Sequence, residues 1–230
     1  NEKISSAEIG YNFHKYHTNI NLNAYYTLWE DKSLLSNENI QLENNTETRA
    51  LIRGLNALHK GVEFEISTQV MHYLNLGTTT SIGDWRWTND VVASLYNDNQ
   101  ELIDSTAVYV KNIKVGDAPQ FTLGFFGELR LPSGFSFNAN WLYYGILYAN
   151  FDPSGRNNPD DRSQPYRIPD YNVADLHIGY KFNIGEFKAN TNISCYNILN
   201  EESIMRGEDG FSHDLDTFAG FWSPGRTFNI

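Results

Sequence analysis

The sequence predicts an all-β chain: an antiparallel transmembrane β-barrel segment of about nine strands. Three observations predict it. Apolar and polar residues alternate with a period of two through most of the chain. The connections between these runs are short and long by turns, which places every long one on the same side of the sheet. Several runs outlast the roughly 5–6 residues of an ordinary strand and reach the roughly 9–11 that cross a bilayer at a tilt. Mean hydropathy is −0.48, and no stretch approaches the roughly 18 apolar residues of a spanning helix.

In the first run Ala7, Ile9, Tyr11 and Phe13 oppose Glu8, Gly10, Asn12 and His14. After a break at His17, Ile20, Leu22, Ala24, Tyr26 and Leu28 oppose Asn19, Asn21, Asn23, Tyr25 and Thr27. The third run sets Val62, Phe64 and Ile66 against Gly61, Glu63, Glu65 and Ser67. The fourth has Leu74, Leu76, Thr78, Thr80 and Ile82 on its apolar face and continues into DWRWTNDVV. Phe121, Leu123, Phe125, Leu129 and Leu131 follow, then Phe135, Phe137, Ala139, Trp141 and Tyr143. The seventh and eighth faces are Ala174, Leu176, Ile178, Tyr180 and Phe182, then Phe187, Ala189, Thr191, Ile193 and Cys195. A ninth run opens at Arg226, Thr227 and Phe228.

The short connections fall near His17, near His72, at Pro132-Ser133-Gly134 and at residues 183–186. The long ones cover residues 32–58, 93–117, 151–170 and 200–223, read here as structureless loops. Loops of that length are uncommon in compact soluble domains. The apolar face is free of charge in nearly every run, and aromatic residues sit at its ends beside the short turns, where a membrane interface would place them. Apolar residues therefore face lipid and polar ones the lumen. Nine is an odd number, and open edges are not viable in hydrocarbon. The chain is expected to be part of a larger barrel, and its ending inside a strand, GRTFNI, agrees with a fragment.

Composition removes other classes. Lys plus Arg is 17 and Asp plus Glu is 28, a net charge of −11, which argues against nucleic acid as a partner. The single Cys195 excludes an intrachain disulfide framework and a Cys-based zinc site, and its parity with Ile193 turns it toward lipid. The six His show no helical zinc-enzyme spacing, and no Ser occupies a nucleophile elbow. No enzyme activity, cofactor or metal site is expected. His213, Asp214 and Asp216 in SHDLDTF read as an acidic surface loop. Residues 152–167 mix Asp152, Asp160 and Asp161 with Arg156, Arg162 and Arg167. A loop held by its own ion pairs is the first reading, and ligand capture by arginine the second.

Seven ordered segments resemble the TonB-dependent outer-membrane receptors of Bacteroidota-type bacteria. They are EKISSAEIGYNF, RGLNALHKGVEFEIS, GDWRWTNDV, KVGDAPQFTLGFF, YRIPDYNVADLHIGYKF, SCYNILNEESI and GRTFNI. The resemblance implies the plugged, roughly 22-stranded transporter class, with this chain as its C-terminal barrel strands. The plug, the TonB-contacting segment, earlier strands and the final residues would lie outside residues 1–230. It implies energised uptake of a scarce ligand, by default a ferric siderophore, with glycans, peptides and cobalamin as alternatives. Motifs of the sugar-importing subfamily that pairs with a surface lipoprotein are not evident, which weakens a glycan. A passive pore and a soluble β-sandwich binding module are the competing classes. Expected partners are outer-membrane lipid, TonB through the N-terminal region, and a small-molecule or oligomeric ligand at the extracellular loops.

Aromatic side chains near the long-loop ends are the candidate ligand contacts. Trp29 shares parity with Asn21, Asn23 and Thr27, and Tyr144 with Asn138 and Asn140, so both should face the lumen. Arg156, Tyr166, Arg206 and Trp222 complete the candidate set. Trp85, Trp87, Tyr148 and Phe211 lie on the same side; ligand contact is one reading of them and an outer aromatic girdle the other, the girdle being expected for those that face lipid.

Overall fold

The computed structural model describes residues 1–35, 40–41, 47–97 and 99–230. In chain order the strands are β1 (Lys3–Lys15), β2 (Thr18–Leu35), β3 (Ile40–Gln41), β4 (Glu47–Met71), β5 (Leu74–Trp87), β6 (Val91–Tyr96), β7 (Leu102–Val108) and β8 (Phe121–Arg130). They continue as β9 (Phe135–Gly145), β10 (Leu147–Tyr148), β11 (Arg167–Ile168), β12 (Tyr171–Ile184), β13 (Phe187–Tyr196), β14 (Ile204–Glu208), β15 (Ala219–Trp222) and β16 (Thr227–Asn229). A single 3-10 turn, Pro153–Arg156, is the one helical element among the described residues.

Nine of these form one antiparallel path, β1-β2-β4-β5-β8-β9-β12-β13-β16, open at β1 and β16. They are the nine runs of alternation. Register shows that each strand keeps its parity across the sheet. One row of partners is Ile9, Ala24, Val62, Ile82 and Phe121; the row beside it is Gly10, Asn23, Glu63, Ser81 and Thr122. A slip of one residue in any strand would turn its apolar set to the other face. The barrel wall thus has a continuous apolar outer face and a polar inner face.

Short turns join these strands at the lower, periplasmic end. Tyr16, Gly134 and Gly185 adopt positive φ there, at 55°, 93° and 61°. Gly134 is constrained twice over: a Cβ would come within 2.3 Å of the Lys181 carbonyl oxygen, and its own carbonyl accepts from Lys181 N at 3.0 Å. Beside these turns the outer rings of Phe137, Phe135, Tyr180 and Phe182 stack in series, with centroid spacings of 6.3, 4.3 and 5.3 Å. This is the aromatic girdle, built from cross-strand neighbours such as Tyr180 and Phe135.

The upper end departs from the sequence reading. Residues 32–58 are not mainly loop: β2 runs on to Leu35 and β4 begins at Glu47, while positions 36–39 and 42–46 lie outside the described residues. Asp31, at φ 57°, marks a bulge where the register shifts between Trp29 and Lys32, and above it the two strands continue as a hairpin. Residues 93–117 are also partly strand. β6 pairs with β4 and with β7; together with β3, which also pairs with β4, they bring the sheet to 12 strands above the barrel. Backbone amides in a projecting sheet need partners, and β6 supplies them to β4.

The chain's buried apolar cluster sits at this upper end rather than within the wall. Ile52, Leu55, Trp87, Leu95, Val108, Ile113 and Phe151 all lie in it. Burying such side chains contributes about 1.5–3 kcal/mol each. Lipid does the corresponding work for the outer face below.

Thr78 and Thr79 are adjacent in β5 and face opposite sides, Thr78 beside Phe125 and Thr79 beside Glu65 and Gly124. Thr78→Arg should destabilise the intact barrel in lipid vesicles by about 2–4 kcal/mol, and Thr79→Arg by less than about 1 kcal/mol. Folding free energies from denaturant titration of the vesicle-inserted receptor check this contrast.

Candidate functional site

The lower inner wall is a ladder of hydrogen-bonded polar side chains. Asn12 Nδ2 donates to Asn21 Oδ1, and Asn21 Nδ2 reaches Glu65 Oε2 at 3.5 Å. His14 Nδ1 lies 2.6 Å from Asn19 Oδ1. Asn75 Nδ2 donates to Glu128 Oε2 at 3.3 Å, and Asn140 Nδ2 to Asp175 Oδ2 at 3.1 Å. Phe126 interrupts this wall. It pairs across the sheet with Gly77, where a Cβ would lie 2.1 Å from Phe126 Cζ, so the ring covers bare backbone.

Above the polar ladder the inner face becomes aromatic. Trp29, Ala57 and Trp87 share one row, Thr27, His59 and Trp85 the next, and Tyr25, Gly61 and Gly83 the third. The two glycines leave room for Tyr25, since a Cβ on Gly61 would lie 2.5 Å from its hydroxyl. Trp85 Nε1 donates to Tyr25 Oη at 2.9 Å. The His59 ring lies 5.6 Å from Trp85 and 6.5 Å from Trp29. Lys32 Nζ sits 3.9 Å from the Trp29 centroid and 5.7 Å from Trp87, within cation–π range. Trp29 Nε1 in turn donates to Glu2 at 3.3 Å, which fixes the indole.

Loops close over this tier. Phe151 packs edge-on against Trp87 at 5.6 Å. Beside it lies a cavity of about 300 Å³ lined by Leu34, Ile52, Phe151, Asp152, Asp209 and Phe211 among others. Behind the cavity is a buried ion-pair knot. Arg156 is 1% exposed; its guanidinium donates to Asp209 at 2.8 Å and to the Ser163 carbonyl at 2.8 Å. His213 bridges Asp209 at 2.6 Å and Asp161 at 2.8 Å. Tyr109 N donates to the Arg156 carbonyl at 2.7 Å and Tyr166 N to Asp209 at 2.9 Å. Three long connections are tied at this point.

Electrostatics agree with a knot. Burial pushes the Arg156 guanidinium below its usual value, while Asp209 and Asp161 act to raise it. Burial alone would raise the Asp161 carboxyl, but hydrogen bonds from His213 and Ser163 bring it down to about 2.

The six candidate residues are not brought to one point. Trp29 and Tyr144 both face inward, but β2 and β9 are separated by four strand spacings, roughly 19 Å. Tyr144 stacks on Tyr171, centroids 4.9 Å apart. Arg156 is inside the knot, with no exposed face for a ligand. Tyr166 is linked to it through Asp209 and lies 4.8 Å from the Phe218 ring. Arg206 and Trp222 share the β14–β15 hairpin, exposed, with the Arg206 guanidinium 4.9 Å from the Phe221 ring. Of the two readings open for Trp85 and Trp87, the inward one holds: they face the lumen and not an outer girdle, and Phe211 lines the cavity. Their odd numbers, against the even outward set ending at Ile82, carried that signal. Tyr25 was placed on the inner face by its parity; Lys32, His59 and Phe126 were missed there, although parity carried the signal for Phe126.

A wall with a girdled apolar exterior, polar interior, short lower turns and elaborated upper loops defines an outer-membrane β-barrel of the receptor type. The chain belongs to the TonB dependent receptor-like β-barrel family, whose model matches residues 1–198, and it is an outer-membrane protein. Its fold is similar to that of the copper transporter OprC, at 12% identity and TM-score 0.62, over 99% of this chain and 30% of that one. It is similar to P. aeruginosa FpvA, solved with heterologous pyoverdines, at 14% identity and TM-score 0.59, over 99% and 26%. The FrpB iron transporter from Neisseria meningitidis matches at 13% identity and TM-score 0.56, over 98% and 30%. The chain therefore spans under a third of these solved structures. No curated protein matches the sequence significantly.

Two outcomes test the knot. Arg156→Met leaves the buried Asp209 with only His213 and the Tyr166 N–H as partners, a loss of up to about 3–5 kcal/mol to the local fold; limited proteolysis within residues 157–165 and 210–217 should accelerate at least tenfold. The Asp161 carboxyl is lower when folded than its unfolded value of about 3.9, so its contribution is complete above about pH 4 and vanishes as pH falls through about 2. Amide exchange at Ser163, whose N–H donates to Asp161 at 3.0 Å, should lose protection across that window.

Proposed function

We propose that this chain forms the C-terminal wall and part of the mouth of an energised importer that takes a scarce ligand, a ferric siderophore in the first instance, across the outer membrane. One observation carries the reading. Ascending the inner face, hydrogen-bonded carboxamides and carboxylates give way to a contiguous aromatic tier that opens beneath a loop-lined cavity. A ligand descending from outside meets the loops first, then flat aromatic faces with Lys32 above them, and only then a hydrophilic wall. Stacking faces with a few polar groups suit capture of a small, rigid ligand. Family membership and the similarity to copper and iron transporters support uptake.

The rest of the machine is proposed to lie outside this chain: further strands that pair with the edges of β1 and β16, a plug, and the segment that engages TonB. Trp29, Tyr144, Arg206 and Trp222 remain proposed contacts, joined now by Trp85 and His59; Arg156 and Tyr166 act through loop position.

In the intact receptor, the double variant His59→Ala/Trp85→Ala should weaken binding of the transported ligand at least tenfold, with heat-modifiable gel migration unchanged. Titration of a panel of ferric siderophores by tryptophan quenching measures it, and unchanged affinity removes this tier from the site. Uptake of the bound member should vanish in a strain lacking TonB; uptake that persists there identifies a passive pore.

A further inference from the structure

The outer face carries no charge from the lower girdle up to the row that contains Val62, Ile82 and Phe121. The next outward row begins a charged rim. Tyr26 pairs with Lys60, and Lys60 with Asp84; Arg86 stands one outward position above. Asp84 receives three cations: Lys114 Nζ at 2.6 Å, Arg86 Nε at 2.8 Å and Lys60 Nζ at 3.6 Å. Elsewhere on this rim charges are paired one to one, Lys3 with Glu30 at 3.2 Å and Arg167 with Asp170 at 3.1 Å. Three cations on one carboxylate leave a local excess of two positive charges, in a chain of net charge −11. The Lys60 and Arg86 side chains stay 49% and 40% exposed.

Position decides what this excess faces. Adjacent outward residues are about 6.8 Å apart along a strand, so the cations stand within one headgroup depth of the apolar band. They point away from the lumen, where a transported ligand would pass. We infer that Lys60 and Arg86, backed by Lys114 and held together by Asp84, bind the phosphate groups of a phosphorylated lipid in the outer leaflet around the barrel. Asp84 keeps the three side chains converged, and phosphate oxygens accept charge-assisted hydrogen bonds from the donors that Asp84 leaves free. Tyr26, on the same outward row, lies level with the headgroup boundary.

The test uses the intact receptor, purified in a neutral detergent and titrated with diphosphoryl lipid A, with bound lipid counted by native mass spectrometry. Each surface cation contributes about fivefold in affinity for an anionic lipid, so Lys60→Gln/Arg86→Gln should lower retention at least tenfold. Lys60→Arg/Arg86→Lys should restore it, and Lys111→Gln, on an upper loop, should leave it unchanged. Wild-type receptor should also retain dephosphorylated lipid A at least tenfold less, a comparison that stands if the double variant does not fold. Retention within twofold for the double variant or the dephosphorylated lipid overturns the inference. So does displacement of lipid A by inorganic phosphate at equal concentration, which would make the rim a site for free anions.

Discussion

An amide or carbonyl without a partner in hydrocarbon costs several kcal/mol, and the strands of the wall must cross hydrocarbon. That constraint organises the rest of the molecule. It forces each wall strand to pair along its length with a neighbour on either side, so register is locked across the path from β1 to β16. Locked register then sorts side chains: one parity meets lipid and the other the lumen. The aromatic girdle, the polar ladder and the inward tryptophans all follow from which parity a residue happens to hold. Among the described residues β1 pairs only with β2 and β16 only with β13, so one edge of each has no strand beside it.

Above the membrane the demand changes. Water can satisfy backbone groups there, so pairing is no longer compulsory and the chain needs another source of order. It finds two. The extended β2–β4 hairpin and the added β6 and β7 bury an apolar cluster around Ile52, Leu95 and Ile113. The Arg156 knot binds loops that the cluster does not reach. A buried ion pair is a weak source of net stability but fixes geometry strongly, because either partner alone is costly. The knot thus sets the position of the cavity wall at Asp209, and with it the shape of the mouth.

Much of this was legible in the sequence because the membrane imposes a strict period of two. All nine wall strands, the four short turns, and the inward faces of Trp29 and Tyr144 followed from parity alone. What parity could not supply was anything above the bilayer. Leu35 and Glu47 extend strands where no lipid enforces alternation, and β6 and β7 are short with weak patterning in VVASLY and LIDSTAV. Arg156 finds Asp209 across 53 residues, a pairing that no local pattern encodes. Trp85 and Trp87 are a different case: both a ligand-side and a girdle reading stood open for them, and their odd parity in β5 was enough to choose the inner face.

The central claim is that one parity of the wall strands contacts lipid and the other the lumen. Spin labels placed singly at successive positions of β5 from Leu74 to Ile82, in the intact receptor with Cys195 replaced by Ser, measure this directly. Collision rates with oxygen and with an aqueous nickel chelate should alternate with a period of two, oxygen favoured at Leu76, Thr78 and Thr80. Aqueous access at those three positions equal to that at Asn75 and Thr79 would contradict the account.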